Sequence, residues 1–191
     1  MPDQQLGHAV PAAGHGPLFS FGGHTPTVAP DAFVAPTAAV IGDVTIGPES
    51  NVWFHCVLRG DTCAIRVGAR TNIQDGSIVH VNPGERFATT IGDEVTIGHA
   101  AVIHACTLHD RAFVAIGATV LDGAVIEEGG VLAAGGLLTP GKRIGRFELW
   151  QGSPARLVRV LGAEERAQKF DGTAPHYAEM AARFRAGLRS V

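Results

Sequence analysis

Several classes of protein are excluded by what this 191-residue sequence lacks. Charged residues make up 17%, below the usual ~25%, and no Lys/Arg-rich run supplies the clustered positive charge that a nucleic-acid surface needs. No apolar run reaches the length of about 18 residues that a membrane span requires, and the first residues do not read as a signal peptide. We therefore expect a cytoplasmic protein without a nucleic-acid or membrane partner.

Cysteine is also scarce. Cys56, Cys63 and Cys106 are an odd number without C-x-x-C spacing, which argues against a disulfide framework. We expect reduced thiols that pack as small hydrophobic side chains. In contrast, glycine (25) and proline (11) are abundant, and 46% of the residues are apolar, so the composition predicts a turn-rich chain with a real core.

Aliphatic residues recur every six positions, with a slip between Leu58 and Val67, a break from Val81 to Thr90, and one expected five-residue step between Ile97 and Val102. Three such units, each a short strand and a corner, close a triangular coil of about 18 residues, as in parallel β-helices. Glycine often follows the aliphatic residue, as in Ile46-Gly47, where a turn with positive φ is expected. The predicted inward residues are Val28, Val34, Val40, Ile46, Val52, Leu58, Val67, Ile73, Val79, Ile91, Ile97, Val102, Leu108, Val114, Val120, Ile126, Leu132, Leu138, Ile144 and Trp150.

The pattern divides the chain into three parts. Residues 1–16 lack the period and are predicted to form a flexible N-terminal tail, residues 17–160 form the β-helix, and residues 161–191 form a C-terminal helical segment. The fold class is therefore an all-β solenoid with a C-terminal α-helix. Four apolar residues at helical spacing predict that this helix packs along the solenoid: Tyr177, Met180, Phe184 and Leu188.

Three histidines lie beside irregularities of the repeat. His80 directly follows inward Val79, and His99 and His104 each lie two positions after an expected inward residue. None of the three is itself an expected inward residue, so we expect the rings to point out of the solenoid.

The histidine spacing favours a metal site shared between copies of the chain. His80 and His104 are 24 residues apart, which is one coil plus six residues that a loop after Val81 can absorb. His99 and His104 are about 16 Å apart along an extended strand, whereas the ligands of one tetrahedral ion lie within about 2.1 Å of it. A neighbouring copy in a cyclic oligomer can supply the missing ring. Surface histidines without a ligand are the alternative.

Further polar residues border the same face. Arg59 and Asp61 interrupt the repeat, and Asn72 and Gln74 flank inward Ile73 in the segment that leads to His80. A surface ion pair is the alternative interpretation of Arg59 and Asp61. Turn formation is the alternative for Asp75-Gly76.

Five segments together resemble the gamma-class carbonic anhydrase family, over roughly residues 25–160. The hexad alone would be unspecific, since acyltransferases share it. The segments are Asn51-Val-Trp-Phe-His-Cys-Val-Leu-Arg-Gly-Asp61, Thr71-Asn-Ile-Gln-Asp-Gly76, Val95-Thr-Ile-Gly-His99, Gly117-Ala-Thr-Val-Leu-Asp-Gly123 and Gly152-Ser-Pro-Ala-Arg156.

The resemblance implies a left-handed β-helix that forms a homotrimer with metal sites between subunits. His80, His99 and His104 would be the ligands of Zn²⁺, with Fe²⁺ as the alternative because imidazole suits both ions. A metal-bound hydroxide would convert CO₂ to bicarbonate, and no organic cofactor is implied.

The resemblance also implies roles for the polar residues. Arg59 and Asp61 would form an ion pair across the interface, Gln74 would hydrogen-bond the metal-bound water, and Asn72 and Asp75 would complete a polar wall.

This chain departs from the family's best-studied member in the residues that move protons. It has Thr62 where that member has an acidic residue, and it lacks a long acidic loop after His80. Glu85 and His109 are candidate proton shuttles. Tyr177 could return to the site from the C-terminal helix, but packing in the core is the favoured role. We therefore expect hydration to be slow.

Three other functions stay open from the sequence. A hexapeptide acyltransferase acting on a coenzyme A ester needs only one histidine as base. A metal-dependent thioesterase would use the same histidines on another carbonyl substrate. A non-catalytic trimeric assembly subunit would use the metal only to join chains, although structural zinc normally has four protein ligands.

Overall fold

Short parallel strands, stacked with the period of the sequence, build the molecule. The structure, a computed structural model, describes residues 16–189. Residues 1–15 of the predicted tail lie outside the described residues. Gly16 is buried and donates its N–H to the carbonyl of Val34 over 2.7 Å.

The strands are short because each one ends where the coil turns a corner. In chain order they are β1 (Leu18–Phe19), β2 (Thr27–Val28), β3 (Phe33–Val34), β4 (Ala39–Ile46), β5 (Asn51–Val52), β6 (Val57–Val67), β7 (Asn72–Ile73), β8 (Ile78–His80), β9 (Thr89–Ile91), β10 (Thr96–Ile97), β11 (Val102–His104), β12 (Thr107–Leu108), β13 (Phe113–Val114), β14 (Thr119–Val120), β15 (Val125–Ile126), β16 (Val131–Leu132), β17 (Leu137–Leu138), β18 (Arg143–Ile144), β19 (Glu148–Gly152) and β20 (Ala155–Val160).

These strands form three faces. The first face contains β3, β5, β7, β10, β13, β16 and β19. The second contains β1, the start of β4 and of β6, and then β8, β11, β14 and β17. The third contains β2, the ends of β4 and β6, and then β9, β12, β15 and β18. The predicted parallel β-solenoid is thus confirmed. The left-handed winding of the solenoid stays a prediction, because the same strand order and register would occur in a right-handed one.

The inward column confirms most of the predicted core. Val28 and Trp150 are half-buried but pack against it, and one predicted position is wrong. Val102 is only half-buried, whereas Ile103 is fully buried and pairs with Val79 and Val120 of the neighbouring coils. The five-residue step therefore falls between Ile103 and Leu108. The prediction was wrong because periodicity alone does not show which corner is one residue shorter.

The glycines that follow aliphatic residues have a different role from the one predicted. Gly42 and Gly117 have positive φ, but the other glycines in these Ile-Gly and Val-Gly pairs do not. A Cβ on Gly47 would lie 2.4 Å from the carbonyl oxygen of Gly68 in the next coil. These glycines are needed because adjacent coils approach too closely for any side chain. The affected positions are Gly47, Gly68, Gly92 and Gly98.

The C-terminal segment covers the first face. Antiparallel β20 follows β19, and two helices come after it: α1 (Ala163–Lys169) and α2 (Thr173–Gly187). The ring of Trp53 lies 5.5 Å from that of Tyr177 and 5.0 Å from that of Phe184, which confirms the predicted apolar stripe. Leu188 lies beyond α2 and is exposed, so the stripe ends before it. Within residues 16–189, neither helix is long and apolar enough to cross a membrane.

Two of the cysteines behave as the composition predicts. Cys56 and Cys106 are buried, and burial raises the pKa of each thiol to about 12. Cys63 is only half-buried, contrary to expectation.

Replacing Cys63 by serine should leave a protein without reactive thiols in its native state. A pKa near 12 leaves about one thiolate in ten thousand at pH 8, and the thiolate is the reactive form. Titration with Ellman's reagent should detect no thiol before denaturation and two per chain in guanidinium chloride. Rapid native reaction would show that the Cys56 or Cys106 site opens.

Substituting Gly47 by alanine should lower the free energy of unfolding by about 2–3 kcal/mol, since the new methyl group meets backbone that cannot move independently. Gly187→Ala is the control, because a Cβ there would have no atom within 4 Å. Urea unfolding should show unchanged or slightly higher stability for the control. Equal stability of both variants would contradict the close-approach explanation.

Candidate metal centre

The second face brings His80 and His104 together. β8 and β11 are neighbours in which His80 pairs directly with His104, so the predicted stacking is confirmed. The additional residues lie in the loop between β8 and β9, which contains a 3-10 turn at Glu85–Phe87. The Nδ1 atom of His80 lies 3.1 Å from the Nε2 atom of His104.

Each of these rings has an aspartate at its other nitrogen. Asp61 Oδ1 lies 3.1 Å from His80 Nε2, and Asp122 Oδ1 lies 2.5 Å from His104 Nδ1. The four side chains come from four successive coils and form a column in the order Asp61, His80, His104, Asp122. We call this column the paired-histidine half-site.

Both carboxylates of this half-site are ionised at neutral pH. Burial acts to raise the pKa of Asp61, but the hydrogen bonds from Arg59 and His80 outweigh it and lower the pKa. The same balance lowers the pKa of Asp122, where burial is outweighed by the interactions with His104 and the hydrogen bond from Asn82 together. An ionised carboxylate only accepts hydrogen bonds, so the outer nitrogens of both rings must carry the protons.

When both rings are neutral, the inner nitrogens therefore present two lone pairs to each other. Burial lowers the pKa of His80, so its ring is neutral at neutral pH and has no second proton to place between them. Two lone pairs at 3.1 Å repel each other unless a cation lies between them.

This geometry fits a metal ion. Two ligands of a tetrahedral ion with bonds of 2.0–2.1 Å are separated by about 3.3 Å, close to the separation of the inner nitrogens. Histidine ligands of metals usually donate their other N–H to a carboxylate or carbonyl, as both rings do here.

The third histidine lies at a different corner. The Nδ1 atom of His99 lies 3.1 Å from Asp75 Oδ2, and Asp75 Oδ1 accepts the backbone N–H of Phe54 over 3.3 Å. The His99 side chain is 43% exposed, and its Nε2 has no partner among the described residues. His99, Asp75 and the adjacent Gln74 form what we call the single-histidine half-site.

A hydrogen bond from Gln74 to Asn72 holds the Gln74 side chain in place. It is 95% buried, and its Nε2 donates to Asn72 Oδ1 over 2.9 Å. Asn72 is fully buried and donates in turn to Thr96 Oγ1 over 2.9 Å. Asn72 therefore supports Gln74 from behind and does not line an exposed wall. The Oε1 atom of Gln74 has no partner within residues 16–189, so it is a buried acceptor available to a ligand.

The two half-sites do not meet within one chain. Outward apolar residues of the second face lie between them, and Ile78 among these is 45% exposed. In the part of the chain that the structure describes, no three His, Cys, Asp or Glu side chains are grouped to hold a metal. What we call the apolar column consists of Val57, Ile78 and Val102, and the polar Thr119 follows Val102 in the next coil.

Arg59 and Asp61 form their ion pair within a single chain. The pair across an interface that the resemblance implies is therefore not needed to hold Asp61. Arg59 instead orients Asp61, which leaves the other carboxylate oxygen to accept from His80.

Of the two candidate proton shuttles, the structure describes the side chain of His109 only, and this ring does not contact His80, His99 or His104. His109 directly follows β12 on the third face, and its Nε2 lies 3.8 Å from a carboxylate oxygen of Glu127. The Glu85 side chain lies outside the described part. Thr62 is exposed on β6. Tyr177 packs in the core, and burial, with the negative charge of Asp75, raises its pKa.

Sequence reasoning assigned no role to Asp122 or to Asn82, which donates to it over 2.5 Å. The signal for Asp122 was present, because it follows His104 by 18 residues, one full coil. No comparable signal marks Asn82, since its contact with Asp122 spans 40 residues and depends on the path of a loop.

The fold and the arrangement of the histidines define a hexapeptide-repeat β-solenoid with a candidate metal centre. A crystal structure of a hexapeptide transferase family protein from Anaplasma phagocytophilum has the same fold. It shares 44% sequence identity and a TM-score of 0.82, over 90% of this chain and 98% of that one. No protein-family model matches the chain.

Sequence relatives narrow this class. The chain is 51% identical over 132 residues to a probable carbonic anhydrase of Methanocaldococcus jannaschii, covering 69% of this chain and 82% of the relative. It is 50% identical over 155 residues to gamma carbonic anhydrase 2, mitochondrial, of Arabidopsis thaliana, covering 79% of this chain but only 56% of that protein. The chain belongs to the gamma-class carbonic anhydrase family, which implies a metal cofactor.

His80→Ala and His104→Ala should each weaken Zn²⁺ binding by more than about 100-fold, because each removes one of two facing ligands. Competition with a chromophoric chelator measures the affinity of metal-stripped protein. His109→Ala is the control and should bind as the parent does, since His109 contacts neither half-site. Unchanged binding in both ligand variants would place the metal elsewhere.

Proposed function

We propose that this chain is a metal-dependent carbonic anhydrase that interconverts CO₂ and bicarbonate. The observation that carries the proposal is the 3.1 Å separation of His80 Nδ1 and His104 Nε2, with an aspartate oxygen at the other nitrogen of each ring. The carbonic anhydrase names of the relatives from Methanocaldococcus jannaschii and Arabidopsis thaliana support it.

The ligand set is three neutral imidazoles. His80 Nδ1 and His104 Nε2 of one chain would hold the ion with His99 Nε2 of a neighbour. Zn²⁺ is the ion we propose, with Fe²⁺ as the alternative. When bound, such an ion would lower the pKa of its water to ~7 and so supply hydroxide at neutral pH. Three protein ligands leave one position open, as catalytic zinc sites do.

A homotrimer joins the two half-sites. The apolar column separates the half-sites on one chain, and the exposure of Ile78 gives this face a reason to bind another copy. In a cyclic assembly the same two edges meet at every interface, so each interface would contain one complete set of histidines.

The remaining residues of the site would position the reactants. Gln74 would orient the attacking water through its unpartnered Oε1, since Asn72 fixes the amide in one rotamer. This contribution is one of position and not of charge. Arg59 and Asp61 would hold His80, and Asp75 would hold His99.

Proton release would be slow. The carboxylates that contact His80, His99 and His104 are Asp61, Asp75 and Asp122, and each is already paired with its imidazole. None of the three is free to carry a proton to solvent. The CO₂ hydration rate measured by stopped flow should therefore rise with the concentration of imidazole buffer. A rate independent of buffer would show that the chain supplies its own shuttle.

Mixing two inactive variants tests the shared site. His80→Ala retains His99, and His99→Ala retains the paired histidines, so each variant alone should lack hydration activity. Dissociating and reassembling an equal mixture should restore about a quarter of the parent activity, because one interface in four then combines intact halves.

The control mixture is His80→Ala with His104→Ala, in which no interface regains both paired histidines. Recovery in the control, or none in the first mixture, would contradict a site shared between chains.

An acyltransferase acting on coenzyme A esters is the second candidate, and the structural relative from Anaplasma phagocytophilum supports it only in being named a hexapeptide transferase family protein. One histidine suffices as base in that chemistry, so activity would survive exhaustive chelation. Hydration that is lost with the metal and restored by Zn²⁺ supports the first candidate. A metal-dependent thioesterase, a non-catalytic assembly subunit and the cytoplasmic location stay predictions from the sequence.

A further inference from the structure

We propose that Asp122, held in place by Asn82, is the positioning residue that fixes the tautomer of His104 and thereby makes its Nε2 a metal ligand. This role rests on the proposed function only in the use of the metal. The hydrogen bonds themselves belong to the chain without any ion.

Both carboxylate oxygens of Asp122 are occupied. Oδ1 lies 2.5 Å from His104 Nδ1, and Oδ2 accepts from Asn82 Nδ2 over 2.5 Å. The carboxylate therefore cannot rotate without losing one of the two bonds. Its partners are one imidazole and one neutral amide, so no cationic side chain competes for its charge.

Asp61 is different in this respect. Arg59 takes one of its oxygens in an ion pair, and His80 takes the other. The charge of Asp61 is thus shared with a guanidinium, whereas that of Asp122 acts mainly on His104. Of the two rings, we expect His104 to have the more strongly fixed tautomer.

The backbone around Asp122 is also fixed. The N–H of Gly123 donates to the carbonyl of Ala105 over 2.7 Å, which ties this corner to the coil that carries His104. Asn82 comes from the loop after β8, and the far end of that loop is tied back when Thr89 Oγ1 donates to the carbonyl of His80 over 2.7 Å. The loop thus connects His80 to Asn82, which holds the aspartate that supports His104.

The chemical consequence concerns a single proton. A neutral imidazole has one N–H, and the acceptor at Nδ1 holds it there, which leaves the lone pair on Nε2 facing His80. Without the carboxylate the proton can occupy Nε2, where it blocks the ligand position.

The test compares the ring nitrogens of His104 in metal-stripped protein at pH 8. ¹⁵N NMR of the parent should show a protonated Nδ1 and an unprotonated Nε2. Asp122→Ala should give averaged shifts from mixed tautomers, and its Zn²⁺ affinity should fall 10–100-fold. Asp122→Asn keeps the shape, but its amide can donate or accept, so it should also mix the tautomers if the alanine variant does not fold. Asn82→Ala should shift the ring in the same direction but less.

Glu127→Gln is the matched control, because Glu127 also lies beside a histidine, His109, but outside the half-sites. It should leave the His104 shifts and the Zn²⁺ affinity unchanged. Parent-like shifts and affinity in the Asp122 variants would overturn the proposal. A parent protein with the expected tautomer and tight Zn²⁺ binding, but no CO₂ hydration, would instead contradict the proposed function and leave this role of Asp122 intact.

Discussion

The register between successive coils is the constraint on which the candidate site depends. Backbone hydrogen bonds place each coil directly over the last, so residues far apart in sequence become vertical neighbours. His80 and His104 pair across 24 residues because the intervening loop absorbs the excess over one coil. Asp61 and Asp122 join the same column from the coils on either side. Glycines without room for a Cβ allow adjacent coils to approach this closely. The same stacking of coils therefore determines both the core packing and the geometry of the site.

A rigid column of this kind explains why the site is divided. A triangular solenoid presents outward side chains on separate faces and corners, and it cannot fold one edge onto another. His99 therefore stays at its own corner with Asp75, while the paired histidines lie beyond the apolar column. Convergence of all three rings requires a second chain. In our account, catalysis and assembly depend on the same surface, and each half-site is oriented before any partner or ion arrives.

The six-residue repeat predicts most of the fold, because one inward aliphatic residue per strand is a strong signal. It does not reveal which corner is short, so Val102 was expected inward where Ile103 lies. Outward histidines could be predicted from their phase, since core packing did not explain them. The support of Asn72 for Gln74 depends on rotamers, and that of Asn82 for Asp122 depends on a loop, neither of which has a period.

Crystallography of zinc-loaded protein, with anomalous data at the zinc edge, tests the central claim most directly. Our account predicts one ion per chain, bonded to His80 and His104 of one subunit and to His99 of the next. Zinc bound by residues of one chain alone, or a crystal in which these three histidines remain apart without an ion, would contradict it.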